Sequence, residues 1–456
     1  MMKIQKGWNL PVLVALVGLI LPALAGAYPA EVPRTGQTTC YDAAGTVIGC
    51  TETGQDGARL AGVAWPVPHF VDNGDGAVLD SLTGLVWAKN ANLLGTVDAD
   101  NDTDDTPNDG RVTWQHALHY IKKLNRLNYL GRNDWRLPNV NELESLVNAG
   151  VYNPALPTHP FTQVQSYVYW SSTTYAFFNT YSAWVMYMDD GYVYYGDKEY
   201  YCYVWPVRAG KCGLDNSVIC LPKTGHTTCY DTAGTVIGCA GTGQDGDIQA
   251  GVDWPSQQFV DNGDGTVTDK LTGLEWTKDA NTAGTGKTWQ QALDFVKTLN
   301  TGGHRDWRLP NRRELRSLNF SQTHPFTNLQ LVFYYWSSTS CANKTNYAWL
   351  KLLFDGSILY YDKSQRGFVW PVRAGQAGIS GKPCPAKKLL GEDNPQLEIL
   401  RDFRDSKLAN SVMGHRIINI YYNNADSIDA ALERSPALQA AARRVLEVIA
   451  PMVGKN

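Results

Sequence analysis

The chain has 456 residues, 43% of them hydrophobic, with 15 Trp, 24 Tyr and a formal charge of -4. This apolar and aromatic content excludes general disorder, and the length predicts about two to four domains of ~150 residues each. The mildly acidic balance excludes a chain-wide attraction for nucleic acid or an anionic membrane.

Lys3 and Lys6 precede an apolar run from Leu10 to Leu24, followed by small residues at Ala25-Gly26-Ala27. This pattern predicts a signal peptide over 1–27, because the run is shorter than the ~20 apolar residues of a membrane span. An uncleaved N-terminal anchor is the alternative. No later segment is apolar enough to cross a bilayer, so the mature chain is expected to be secreted or on the outer cell surface, with the periplasm as a further option. Nine cysteines in an exported chain then read as disulfides. Cys40 and Cys50 flank a Gly-containing turn between β-prone pieces, as do Cys229 and Cys239, so each pair is expected to clip a hairpin. Cys212 and Cys220 are expected to close a small loop. Cys202, Cys341 and Cys384 remain, leaving at least one free or intermolecular thiol, and no spacing suits zinc.

The tryptophans reveal a duplication. Beyond Trp8 they form seven pairs: 65/254, 87/276, 114/289, 135/307, 170/336, 184/349 and 205/370. Matching words accompany them. Phe-Val-Asp-Asn-Gly-Asp-Gly stands at 70–76 and 259–265, and Asp-Trp-Arg-Leu-Pro-Asn at 134–139 and 306–311. Tyr-Trp-Ser-Ser-Thr stands at 169–173 and 335–339, and Val-Trp-Pro-Val-Arg-Ala-Gly at 204–210 and 369–375. The period is too long for a solenoid, so these are two whole domains, 28–210 and 223–375, joined by a linker over 211–222.

Each copy reads in the same order. A disulfide hairpin leads through Asp-Asn-Gly-Asp-Gly, a tight turn rather than a metal loop, into a strand at Leu-Thr-Gly-Leu-x-Trp. Thr288-Trp-Gln-Gln291 is a capping box before Ala292, Leu293, Val296 and Leu299 at helical spacing, and copy one repeats the helix from Thr113. Asn139-x-x-Glu142 and Asn311-x-x-Glu314 start a second short helix. The last third alternates aromatic and polar residues around a turn at Asp190-Gly191, an antiparallel β pattern. The domains are therefore α+β. After a linker over 376–395, residues 396–456 lose Trp and show two amphipathic helical patterns, a small α-helical C-terminal module.

The series D-N-G-D-G, T-G-L-x-W, D-W-R-L-P-N-x-x-E-L, Y-W-S-S-T and V-R-A-G resembles the C-terminal domain of bacterial collagen-like adhesins (the Lcl C-terminal family) over roughly 34–210 and 223–375. The resemblance implies tandem C-type-lectin-like domains and glycan binding at the cell surface. Arg-Leu-Pro-x-x-x-Glu-Leu also resembles the formylglycine-generating enzymes of the broader fold. A third relative is the variable protein of diversity-generating retroelements, with its Tyr-rich binding face. Cys384, Leu400-Arg-Asp-Phe-Arg-Asp405 and Tyr421-Tyr422 resemble the CFI-box C-terminal module of exported bacterial proteins, although Pro-Ala-Lys-Lys after Cys384 departs from its usual opening. A docking or dimerising helical hairpin is the plain reading of this tail, and surface anchoring the sharper one.

The candidate binding face of copy one comprises Tyr175, Phe177, Phe178, Asn179, Tyr181, Tyr187, Asp189, Asp190, Tyr192 and Tyr194. Tyrosine offers a flat, rigid surface with a hydroxyl, and binding loops mix it with Asn and Asp. Half of these residues filling the core is the competing expectation. In copy two the matching stretch contributes Asn343, Lys344, Asn346 and Tyr347. Arg312 and Arg316 share a helical face and form a candidate anionic-glycan patch, with a solvated face paired to Glu314 as the alternative. Asp98, Asp100, Asp102, Asp104 and Asp109 have alternating spacing that suits Ca2+, but Thr103 stands where an EF-hand loop needs Gly, which favours an acidic solvated loop.

Catalysis is not expected. Formylglycine-generating enzymes need a cysteine pair near the domain end, whereas Cys202 and Cys341 stand alone at non-matching positions. Thr158-His-Pro-Phe161 recurs as Thr323-His-Pro-Phe326, and a His beside Pro reads as a turn residue rather than a base. The reading is an exported binder of glycan or protein ligands that requires no cofactor, touches no nucleic acid and is compatible with homo-oligomers. A structural envelope component is the second reading and an oxidase the third.

Overall fold

The computed structural model of the chain describes residues 30–97, 109–177, 180–208, 219–318, 323–373, 385–391, 394–403 and 432–453. The expected signal peptide lies outside the described residues, as do Asp98, Asp100, Asp102, Asp104, Phe178, Asn179, Cys212 and Cys384. Copy one begins with β1 (Cys40–Tyr41), β2 (Val47–Ile48) and the single turn α1 (Asp56–Arg59). It continues with β3 (Phe70–Asp72), β4 (Ala77–Asp80), β5 (Val86–Ala88), β6 (Arg111–Val112), α2 (Trp114–Arg126) and α3 (Val140–Ser145). It closes with β7 (Val168–Thr174), β8 (Ser182–Tyr187), β9 (Tyr192–Asp197), β10 (Cys202–Tyr203) and β11 (Val207–Arg208).

Copy two repeats the order as β12 (Cys229–Tyr230), β13 (Val236–Ile237), α4 (Asp245–Ile248), β14 (Phe259–Asp261), β15 (Thr266–Asp269) and β16 (Glu275–Thr277). Then come α5 (Trp289–Val296), α6 (Arg312–Ser317), β17 (Tyr334–Ser340), β18 (Tyr347–Leu352), β19 (Ile358–Asp362) and β20 (Val372–Arg373). The C-terminal residues form α7 (Pro385–Leu390), α8 (Pro395–Phe403) and α9 (Pro436–Val453). No described helix is long and apolar enough to cross a membrane.

The repeated words are structural. Trp114 donates its indole N–H to the Ser171 carbonyl at 2.7 Å, and Trp289 donates to that of Ser337 at 2.7 Å. Trp170 and Trp336 likewise donate to Val112 and Lys287, and Trp205 and Trp370 to Ala88 and Thr277. Each of these six buried indoles thereby selects one backbone carbonyl as well as filling volume, whereas Trp87, Trp276 and Trp349 fill volume alone. The Arg-Leu-Pro-Asn-x-x-Glu word is a folded unit too. Arg136 grips Glu142 through two hydrogen bonds of 2.5 Å, while Asn139 and Glu142 form the capping box of α3. Arg308, Glu314 and Asn311 repeat the unit at α6. The capping box at Thr288 forms as expected, whereas Thr113 makes no side-chain cap. Cys40–Cys50 and Cys229–Cys239 are disulfide-bonded as the spacing predicts, and Cys220 is also in a disulfide.

The two copies share one sheet. Its order is β17-β18-β19-β9-β8-β7-β10-β6, and the halves meet where Ile358 of β19 pairs antiparallel with Val193 of β9. Each copy also carries a four-stranded sheet, β11-β5-β4-β3 and β14-β15-β16-β20. The disulfide-clipped arms are exchanged: the arm of copy one packs on copy two, and the reverse. Gln37 brackets Ser340, donating to its carbonyl at 2.7 Å and accepting from its N–H at 2.9 Å. Asp56 accepts from Thr35 at 2.6 Å and from Thr339 of copy two at 2.7 Å. Asp245 accepts in the same way from Thr224 and from Thr173 of copy one, both at 2.7 Å. Lys363 and Lys198 complete the exchange by donating to the carbonyls of Asp42 and Asp231 at 3.0 Å each.

Helices α3 and α6 face each other across the approximate two-fold relation. Glu144 and Arg316 occupy matching positions and form an ion pair at 3.0 Å, with Arg312 at 3.6 Å from the same carboxylate. Arg313 donates to the carbonyls of Val147 at 2.6 Å and Ser145 at 3.1 Å, so it caps the end of α3 from the other copy. In copy two that task falls to Lys351, which donates to the carbonyls of Leu315, Arg316 and Leu318. The partners differ because equal residues at a two-fold would bring like charges together.

Two outcomes follow. Removing the charge of Glu144 leaves buried guanidiniums uncompensated, so Glu144→Gln should lower the unfolding free energy by about 3 kcal/mol, read from denaturant titration. Burial pushes the Asp56 carboxyl up from 3.8 to about 6. A folded-state pKa above the unfolded value means that protonation favours the fold, and this contribution grows as pH falls from about 7 towards 4. Wild type should therefore gain about 1 kcal/mol more than Asp56→Asn between pH 7 and pH 5, in parallel melts of the two proteins.

Candidate functional site

A cavity of about 530 Å³ opens where the exchanged arm of copy two meets the junction. Its walls come from both copies. Tyr175 stacks on Tyr195 at 4.1 Å and meets Trp184 edge-on at 5.2 Å, and Phe177 packs against Phe354 of copy two at 4.7 Å. The Arg316 guanidinium lies 5.3 Å from the Trp184 ring centre and donates to the Gly356 carbonyl at 2.9 Å. His226 comes from the arm, and Lys351 and Asp355 from copy two.

The cavity follows from divergence between matching positions. In the other half of the molecule Arg312 stretches over Trp349 at 3.9 Å and donates to the Gly191 carbonyl at 2.6 Å. Copy one has Val140 at that position, which lines the cavity and is too short to reach so far. The arm differs as well, because His226 stands where copy one has Gln37. Gln37 brackets the Ser340 backbone, whereas His226 Nε2 is buried without a hydrogen-bond partner; the hydroxyls of Thr174 and of Ser340, its match, are both buried and unpartnered. Burial, followed by the charge of Lys198, pushes His226 down to about 4, so it is neutral at pH 7. Burial also pushes the Lys351 ammonium down to about 7. A neutral imidazole acceptor, a hydroxyl and aromatic faces in one cavity can hold a ligand that alternates hydroxyls with C–H faces.

The residues singled out in the sequence distribute over several environments. Tyr175, Phe177 and Arg316 line the cavity; Tyr175 is buried rather than on an exposed face, and Phe177 is 51% exposed. Arg312 is 1% exposed and spans the two copies, so the expected Arg312/Arg316 patch is corrected. Its charge is spent on Glu144, Trp349 and Gly191, because α6 packs into the junction instead of facing water.

A second cluster forms on the opposite side. Asp190 is buried, accepts from the Tyr192 N–H at 2.9 Å and receives the Asn343 amide at 3.4 Å, while Asp189 is half-buried beside it. Tyr192 packs against Tyr187, Tyr194 and, across the junction, Tyr360 at 5.7 Å. Lys344 sits 4.9 Å over Tyr360, Tyr347 meets that ring at 6.0 Å, and Asn346 donates to Asp362 at 3.1 Å. These residues mainly join the copies. Tyr181, 43% exposed, stands apart from them. Asp109 is engaged by Arg111 through its backbone N–H at 2.8 Å and its guanidinium at 2.6 Å. Among the described residues no cluster of three His, Cys, Asp or Glu could hold a metal ion.

Sequence reasoning missed His226, Thr174, Trp184 and Lys351. The available signal was departure from the repeat: His226 against Gln37, and Lys351 against Met186 in otherwise matching strands.

Comparison with known families adds one result. A sequence model of the Lcl C-terminal domain matches residues 76–208 and 265–373, more than half of the chain, and the chain belongs to that family. No curated protein and no solved structure matches.

Proposed function

We propose that this member of the Lcl C-terminal domain family is an exported, surface-displayed binding protein whose tandem domains, lectin-like in fold, hold a glycan in the junction cavity. The observation that carries the reading is the pair of buried, unpartnered polar atoms, His226 Nε2 and Thr174 Oγ1, set among the rings of Tyr175, Trp184 and Phe354. A sugar lays C–H faces on such rings. Its hydroxyls would donate to the imidazole nitrogen and exchange hydrogen bonds with Thr174, replacing water with little loss. The family and the hairpin disulfides support a setting outside the cytoplasm. The C-terminal helices serve as the attachment or sorting module in this reading.

Binding without catalysis is the better account of the cysteines. Cys202 and Cys341 are buried and unbridged, and burial holds both thiols well above the ordinary range, Cys341 at about 12. Neither favours the thiolate that an oxidase of the formylglycine-generating type would use.

A glycan-array screen of the mature protein from about Tyr28, with and without calcium, tests the reading. His226→Gln restores the residue that copy one carries and should bracket Thr174 as Gln37 brackets Ser340. The variant is expected to keep the wild-type melting temperature and to lose affinity by about tenfold or more. Equal binding by wild type and His226→Gln would remove the cavity from the account. Loss confined to a Tyr181→Ala/Tyr192→Ala variant would move recognition to the tyrosine-rich side.

A further inference from the structure

A second cavity, of about 640 Å³, lies between the arm of copy one and its own 148–159 segment and shares no lining residue with the junction cavity. Trp65, Arg34 and His159 line it, with Asn148 and Thr158 at the sides. The Trp65 indole is held by a 2.8 Å hydrogen bond to the Arg34 carbonyl. Gly36, at φ +89°, passes between Trp65 and Asn148, where a Cβ would sit 2.6 Å from the ring and 2.3 Å from the amide oxygen. Only glycine leaves this wall intact.

The duplication shows what is unusual here. Arg34-Thr35-Gly36 matches Lys223-Thr224-Gly225, and Val63-Ala64-Trp65 matches Val252-Asp253-Trp254. In copy two the cation is neutralised, Lys223 lying 2.6 Å from Asp253. In copy one the acid is replaced by Ala64. The Arg34 Nε is buried without a hydrogen-bond partner, and no described carboxylate forms an ion pair with its guanidinium. Asp56 also lines the cavity, but its carboxyl is taken by Thr35 and Thr339.

We propose that this cavity binds the carboxylate of a small acidic ligand, the carboxylate giving Arg34 the counter-charge that Asp253 gives Lys223 in the other copy, with Trp65 bearing the ligand's apolar face. Arginine suits the task because its planar fork matches a carboxylate. The polar sides at Asn148 and Thr158 fit a hydroxylated body, so an acidic monosaccharide is the class of ligand the cavity takes.

Isothermal titration of the mature full-length protein with D-glucuronate, and with D-glucose as the uncharged control, tests the site. Glucuronate should bind, and glucose should bind weaker by about tenfold or more. Arg34→Gln should weaken glucuronate by a similar factor. Ala64→Asp should do the same by placing a carboxylate where copy two has one, and it leaves Arg34 in place should Arg34→Gln impair folding. Lys223→Gln should change nothing. Absence of glucuronate binding to wild type would overturn the proposal, as would equal binding of glucose, affinity unchanged in both Arg34→Gln and Ala64→Asp, or equal loss in Lys223→Gln. His226→Gln acts on the other cavity, so the two sites fail separately.

Discussion

A buried carboxyl shared between threonines of both copies is the constraint on which the molecule turns. Asp56 accepts from Thr35 on its own arm and Thr339 of copy two, and Asp245 accepts from Thr224 and Thr173. A carboxyl out of water needs such partners, and separating the copies would remove one donor from each. The arms are therefore part of the other copy's structure. The continuous eight-stranded sheet and the packing of α3 on α6 join the same two copies, and the junction cavity takes its walls from both.

Duplication followed by divergence explains why the two halves are alike in backbone and unlike in chemistry. At the junction the matching pair Glu144 and Arg316 attracts, whereas two identical residues there would repel. Arg312 against Val140 and Gln37 against His226 fill one half and open the other. Some exchanges are silent: His69 lies 3.1 Å from Asp80, and Gln258 does the same for Asp269 at 3.1 Å. Buried polar atoms without a hydrogen-bond partner remain at diverged positions, as at His226 and Arg34.

Much of the fold was legible because its signals are local. The Cys40–Cys50 clip spans ten residues, the capping boxes at Asn139 and Asn311 span three, and the Tyr-Trp-Ser-Ser-Thr and Val-Trp-Pro-Val-Arg words each place an indole against one carbonyl. The candidate functional residues were harder to read. Tyrosines and aspartates after Trp170 look like a binding face in sequence, yet Tyr175 and Asp190 are buried and Tyr192 packs on Tyr360. The arginines of α6 look like a solvated stripe, yet Arg312 and Arg313 reach carbonyls of copy one. An interface between two copies uses the same residue types as a ligand site, aromatic, Arg and Asn, and composition cannot separate them.

By itself the amino-acid sequence determined the duplication, the α+β elements, the hairpin disulfides and the family, since each depends on residues close together in the chain or on words repeated along it. The tertiary structure alone decided which copy each arm packs on, which charges meet at the junction and where cavities remain. Those outcomes depend on contacts between residues more than a hundred positions apart, such as Asp56 with Thr339 and Arg312 with Gly191. Each is settled by the desolvation cost of a buried polar group, which becomes visible only when its three-dimensional neighbours are known.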